Sequence, residues 1–214
     1  MRFKYVFFDL DGTLTNPGLG ITNSVIYALD KFGIKVDDRT ELYKFIGPPL
    51  LDSFRDFYGF DEDTSRLAMK YYREYFGAKG LFENEVYAGI PQVLQELKDR
   101  GYHLMVATSK PTPYTLQILD KFDLSRYFEF VSGSSMDENN SSKDQIIKYA
   151  IDSNNIALDE IIMIGDRKHD VLGAKANNVY CAGVLYGYGD IFELQEAGAD
   201  DIIETVDSIV NHIS

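Results

Sequence analysis

Two carboxylates close the first apolar run of the chain, in Tyr5-Val6-Phe7-Phe8-Asp9-Leu10-Asp11-Gly12-Thr13. A strand-ending Asp-Gly turn accounts for Asp11 and Gly12. It does not account for Asp9, which still lies within the apolar run, where a lone buried carboxylate is costly. Two further polar clusters follow apolar runs: Thr108-Ser109-Lys110 after Leu104-Met105-Val106-Ala107, and Gly165-Asp166-Arg167-Lys168-His169-Asp170 after Ile161-Ile162-Met163-Ile164. Hydroxyls such as those of Thr108 and Ser109, taken alone, are more often helix caps than ligand contacts. The i, i+4 spacing of Asp166 and Asp170 places them on one side of a helix start, where the backbone dipole favours acids. If the three clusters converge, Asp9, Asp11 and Asp166 form an oxygen-only group, the donor set preferred by Mg²⁺. Such carboxylates repel one another and any phosphate, so the group calls for a divalent ion and a cationic side chain.

The elements that must position these residues alternate. After Tyr5–Phe8, no strand signal appears between about residues 20 and 76. Val25, Ala28, Leu29 and Phe32 instead repeat at helical spacing. Asp38-x-x-Glu41 resembles a capping box before Leu42 and Phe45, Pro48-Pro49 opens a third helix with Leu50, Phe54 and Phe57, and a fourth runs from about Asp63 to Phe76. After Gly89 strands and helices alternate strictly. Strands are expected at Leu104–Ala107, Phe128–Val131, Ile161–Ile164, Tyr180–Val184 and Asp201–Ile203. Helices are expected from Pro91, at Pro113–Phe122 and Lys143–Asn154, and through Val171 and Ala174. This order predicts an α/β fold: a Rossmann-like parallel sheet core, residues 1–14 and 86–214, with an inserted four-helix module at 15–85. In such a sheet ligands bind beyond the carboxyl ends of the strands, where all three clusters fall.

Composition narrows the partners. The 214 residues hold 45% hydrophobic side chains, enough for a sizeable core, and a formal charge of −13 that repels nucleic-acid backbones and anionic lipid. Tyr5 to Phe8 is too short for a signal-peptide core, and no stretch approaches the roughly 20 apolar residues of a membrane span. One cysteine, Cys181, excludes an internal disulfide. The expectation is a cytoplasmic protein with no nucleic-acid or membrane partner and an undetermined oligomeric state. Gly18-x-Gly20 and Gly187-x-Gly189 lack the rest of a dinucleotide-binding pattern, and no P-loop is present. His169 has no second histidine or cysteine nearby to make a zinc site, and the tyrosines at 71, 72 and 75 read as packing.

Val6 to Leu14 resembles the first motif of the haloacid dehalogenase-like hydrolases. Thr108, and Gly165-Asp166 with Asp170, resemble its second and fourth motifs in matching order. The resemblance covers essentially the whole chain, and the helical insert resembles the four-helix cap of the phosphoglycolate phosphatase and nucleotidase-like branch. It implies a Mg²⁺-dependent phosphatase acting on a small phosphorylated metabolite through an aspartyl-phosphate. Asp9 would be the nucleophile and Asp11 the acid and then base. Asp9, the Asp11 carbonyl, Asp166 and, through water, Asp170 would hold the metal. Thr108, Ser109, Gly12 and Thr13 would meet the phosphate. The third motif departs from the family pattern: Lys143, capped by Ser142, is followed by Asp144 rather than proline, and Lys110 rivals it as the phosphate lysine. A phosphosugar mutase shares this core. A phospho-acceptor signalling module also uses an aspartate at a strand end, but it is shorter and has no use for a second acid at the position of Asp11.

Overall fold

The computed structural model describes residues 3–137 and 142–213. In chain order the elements are β1 (Tyr5–Phe8), β2 (Thr15–Asn16), α1 (Gly18–Asp30), a 3₁₀ helix (Arg39–Phe45), α2 (Leu50–Tyr58), α3 (Glu62–Ala78), β3 (Glu85–Val86), α4 (Ile90–Asp99), β4 (His103–Pro111), α5 (Thr112–Lys121), β5 (Phe130–Ser134), α6 (Lys143–Asn154), β6 (Ile161–Gly165), α7 (Lys168–Ala176), β7 (Tyr180–Val184), α8 (Ile191–Glu196), β8 (Asp201–Ile203) and α9 (Ile209–Ile213). The chain divides into two compact units, residues 1–15 with 86–214, and residues 16–85. Among the described residues no helix is long and apolar enough to cross a membrane.

The first unit is a Rossmann-like α/β fold. Six strands run in the order β5-β4-β1-β6-β7-β8, and every pairing among them is parallel. A sheet with both faces covered needs strands that are apolar on both faces. β1 meets that need, with Val6, Phe7 and Phe8 all fully buried. One face packs Phe7, Met105, Met163 and Cys181 against Ile146, Ile147 and Ala150 of α6 and Val171 and Ala174 of α7.

Register does the work of positioning. Phe8 of β1 pairs with Val106 of β4 on one side and Ile164 of β6 on the other. The next residues along the three strands therefore emerge at one level: Asp9, then Ala107 and Thr108, then Gly165 and Asp166. Strand order also reverses at β1, since the chain builds outward through β4 and β5 on one side and β6, β7 and β8 on the other. That reversal is where open parallel sheets bind ligands.

The second unit is helical and holds an aromatic core. Phe45 meets Phe54 at 5.2 Å between ring centroids, Phe32 meets Phe60 at 5.0 Å, and Tyr72 stacks on Phe76 at 5.3 Å. Two expectations need correcting here. The segment after Asp38 is a 3₁₀ helix rather than an α-helix, and no reciprocal box forms. Asp38 accepts instead from the Thr40 amide at 2.8 Å. The last helix begins at Glu62, with Asp61 as its cap accepting from Thr64 N at 2.8 Å.

In the α/β unit, α7 crosses α6 closely enough that a Cβ on Gly173 would fall 2.8 Å from the Lys143 Cβ and 2.9 Å from the Asp144 amide nitrogen. Backbone does not yield to such an overlap, so glycine at 173 fixes where Lys143 stands. Gly173→Ala is expected to destabilise the protein by about 1–3 kcal/mol, the usual scale of overpacking, and to lower activity by displacing Lys143. Urea unfolding with a parallel rate assay checks both.

Candidate active site

The three strand ends converge as a buried cluster of acids and lysines. Asp9 follows β1 and is 3% exposed. Its amide donates to the Ile164 carbonyl at 2.9 Å, and its Oδ1 accepts from the Leu10 amide at 2.8 Å. Asp11, Asp166 and Asp170 are buried as well. Asp166 lies two residues before α7 rather than within it, so only Asp170 sits in the first turn of that helix. The Asp166 carboxylate accepts from the Tyr188 amide at 2.7 Å and from Thr13 Oγ1 at 3.4 Å. Gly12 has φ +85°, and a Cβ there would fall 2.1 Å from Asp166 Oδ2, so the first-motif turn closes directly onto the fourth motif.

The two lysines pair with different acids. Lys143 is 5% exposed, which rules out a solvated surface position. Its Nζ lies 2.8 Å from Asp9 Oδ1 and 2.7 Å from Asp170 Oδ1, and donates to the Ala107 carbonyl at 3.1 Å. Lys110 forms a buried ion pair with Asp11. Lys110 and Ser109 lie inside β4, which extends to Pro111 instead of ending at Ala107. The β4–β5 register shifts between Thr108 and Pro111, and irregularities of that kind re-aim side chains beside functional sites. Thr108 is buried at the same place, its Oγ1 accepting from the Lys110 amide at 3.3 Å. Ser142 occupies the cap position of α6, but its side chain makes no capping hydrogen bond.

Charge is out of balance in this cluster. Four buried carboxylates, Asp9, Asp11, Asp166 and Asp170, face the two buried ammonium groups of Lys110 and Lys143. Burial pushes the Asp166 carboxyl well above its usual range, and Asp170 and Asp9 add to the rise. Burial likewise lifts Asp170 to about 6 against the opposing pull of Lys143. Asp11 is raised by burial, with Lys110 working against it. Burial alone would lower Lys143, yet Asp170 and Asp9 hold it above the ordinary lysine value. His169 is held down near 4 by burial and by Arg167 and Lys168, and burial raises the Cys181 thiol; among the described residues neither belongs to the group suited to a metal.

The donor set fits a hard divalent ion. Asp9, Asp166 and Asp170 each offer a carboxylate oxygen, all within 4.8 Å of one another. Oxygen-only ligation at that spacing suits Mg²⁺. Asp11 differs from these three: it lies outside that group and pairs with Lys110 rather than Lys143. A carboxyl outside the metal-suited group whose proton affinity is raised by burial suits a group that exchanges a proton with substrate. Sequence reading missed Glu193, which reaches the fourth motif from α8. The one trace of it is the spacing Asp190-x-x-Glu193, and Asp190 does cap α8 by accepting from Glu193 N at 2.8 Å. In the helical unit Arg55 pairs with Asp52 and Asp56, while Arg39 is held by neutral oxygens, Thr22 Oγ1 at 2.8 Å and Asn23 Oδ1 at 2.7 Å.

The chain and its fold resemble those of known proteins. The family described as haloacid dehalogenase-like hydrolase matches residues 6–184. The chain belongs to that family. It is 46% identical to a 5'-nucleotidase of Pseudomonas aeruginosa over 195 residues, 91% of this chain and 88% of that protein. It is 34% identical to the tyrosine-protein kinase PtkA of Mycobacterium tuberculosis over 209 residues, 98% of this chain and 68% of that protein. The crystal structure of a predicted phosphatase from Clostridium acetobutylicum superposes with a TM-score of 0.98 at 52% identity, covering 100% of this chain and 99% of the other.

The charge imbalance makes a testable statement about stability. A carboxyl raised in the folded state contributes stability that is present below its ordinary value of 3.8 and lost as pH climbs through the folded value. Without metal, Asp166→Asn should therefore be more stable than the parent at pH 7.5, by roughly 1–3 kcal/mol, with the gap closing toward pH 4. Thermal melts in EDTA across that range read the difference directly. A variant less stable than the parent at pH 7.5 would contradict the assignment.

Proposed function

We propose that this haloacid dehalogenase-like phosphatase, a phosphoric monoester hydrolase, is Mg²⁺-dependent and works through an aspartyl-phosphate on Asp9. The observation that carries the reading is the separation of roles between the two acids of the first motif. Asp9 is held by Lys143 and grouped with Asp166 and Asp170, whereas Asp11 stands outside that group and pairs with Lys110.

In this reading a carboxylate oxygen of Asp9 attacks phosphorus. Asp11 donates a proton to the leaving oxygen, which its raised proton affinity favours, and then takes one from the water that hydrolyses the intermediate. Lys143 pairs with Asp9 and holds it in place while offering positive charge to the transferring group. Thr108, the Ser109 amide and the turn at Gly12 and Thr13 line the place where phosphate oxygens would lie. Asp9, the Asp11 carbonyl, Asp166 and Asp170 would hold Mg²⁺, which neutralises phosphate charge when bound. The likeness to a protein named as a tyrosine kinase fits the same first step. Hydrolysis is preferred because Asp11 supplies the base that the second step needs.

Substrate choice is assigned to the helical unit acting as a cap. Between residues 15 and 85 nine Lys/Arg stand against twelve Asp/Glu, 9 − 12 = −3, so that unit has no general affinity for a strongly anionic substrate. Arg39, whose guanidinium donates to the neutral oxygens of Thr22 and Asn23, is the cation of that unit assigned to meet a single acidic or polar group. Together with the likeness to a 5'-nucleotidase, this favours a small monoester, a nucleoside monophosphate before a bisphosphate.

Turnover of p-nitrophenyl phosphate should require added Mg²⁺, vanish in EDTA and return poorly with Ca²⁺, which prefers looser coordination. Full activity after metal stripping would overturn the metal assignment. A panel of nucleoside monophosphates, phosphoglycolate and sugar phosphates should rank the nucleotides first, and Arg39→Ala should compress that ranking.

A further inference from the structure

The fourth-motif turn is braced from outside the catalytic cluster by Glu193. Glu193, in the first turn of α8, accepts from Arg167 Nε at 2.8 Å, from Arg167 Nη2 at 3.3 Å and from the backbone amide of Lys168 at 2.8 Å. Lys168 opens α7, so Glu193 supplies from a separate element the N-terminal cap that α7 lacks in its own preceding side chain. Arg167 lies between the two carboxylates of the motif in sequence, and its own amide donates to Asp170 Oδ2 at 3.0 Å. The Arg167 side chain is 11% exposed and that of Glu193 22%, so the fork is partly shielded from water. Hydrogen bonds from Arg167 and the Lys168 amide hold the Glu193 carboxyl below its ordinary value despite burial.

The segment carrying Glu193 also touches one carboxylate of the motif directly. The Tyr188 amide donates to Asp166 Oδ2 at 2.7 Å, and Asp190 fixes the start of α8 through the Glu193 amide. Residues 188–193 thus contact the Asp166–Asp170 turn at Asp166 through Tyr188 and at Arg167 and Lys168 through Glu193. That turn needs a grip, because two buried acids on five consecutive residues repel each other and Lys143 reaches only the second.

We propose that Glu193 is a positioning residue for the metal-binding carboxylates: through Arg167 and the Lys168 amide it holds Asp166 and Asp170 at the separation that a divalent ion requires. It touches neither substrate nor metal. The inference rests on the metal reading given under Proposed function. Partners of this outer kind typically change metal affinity by about 10–100-fold when removed.

The test uses Mn²⁺ as the probe, with free ion counted from its electron paramagnetic resonance signal against metal-free protein. The parent should bind one ion in this site. Glu193→Ala should weaken binding by about tenfold or more, while Glu193→Gln, whose amide oxygen still accepts from Lys168, should recover most of it. At saturating metal the KM for p-nitrophenyl phosphate should be unchanged in both variants, since neither touches the substrate. Should Glu193→Ala fail to fold, Arg167→Met removes the fork while leaving the Glu193–Lys168 bond, and should weaken Mn²⁺ by at least about threefold. Parent-like Mn²⁺ affinity in folded Glu193→Ala, or in Arg167→Met where the alanine variant does not fold, would overturn the positioning role and leave the metal site standing. A parent that binds no Mn²⁺ would overturn both.

Discussion

A single buried ammonium group holds this site together. Lys143 rises from the start of α6, touches Asp9 beyond β1 and Asp170 in α7, and donates to a carbonyl of β4, so four elements meet at one nitrogen. Removing one partner from such a buried ion pair typically costs about 3–5 kcal/mol, because the remaining charge has no water to turn to. The geometry of the neighbourhood follows from that constraint. Gly173 must lack a side chain for α7 to pass Lys143, and β1 must sit between β4 and β6 for Asp9 to arrive beside it.

The same neighbourhood carries more negative charge than its lysines can offset. Asp11, Asp166 and Asp170 all bind protons more tightly than free carboxyls do, and burial is the leading cause each time. A protein under selection for stability alone would replace such a cluster with apolar residues. Retaining it makes sense where something positive enters and where one acid has to carry a proton. Strained charge of this kind is concentrated at functional sites, and here the sheet, the glycine turn at Gly12 and the brace from α8 hold it in place.

Much of this was legible in the sequence because it was local. Asp9 stood out as a carboxylate inside an apolar run, and the alternation after Gly89 gave the strands their order of appearance and their parallel character. What stayed hidden depended on contacts far along the chain. Lys143, followed by aspartate where the family pattern has proline, carries no local sign of its burial, which comes from Gly173 and Asp170 packing against it. Lys110 was taken to follow a strand, whereas β4 runs through it, because a register shift against β5 is a property of two strands and not of one segment. The 3₁₀ helix at Arg39–Phe45 carries the apolar spacing of an α-helix, and its Asp38 cap reaches only as far as Thr40. Glu193 lies 26 residues from the arginine it holds, with no periodic signal to connect them.

The central claim is that the two acids of the first motif divide the chemistry, Asp9 accepting the phosphoryl group and Asp11 moving protons. Intact-mass measurement of Asp11→Asn during reaction with p-nitrophenyl phosphate and Mg²⁺ addresses it most directly. That leaving group needs little protonation, so transfer to Asp9 should survive while hydrolysis slows by about 10²–10⁴-fold. A phosphoryl adduct should therefore accumulate on the variant, map to Asp9 and be absent from Asp9→Ala. Turnover of Asp11→Asn at the parent rate with no adduct would contradict the division of roles and the two-step mechanism built on it.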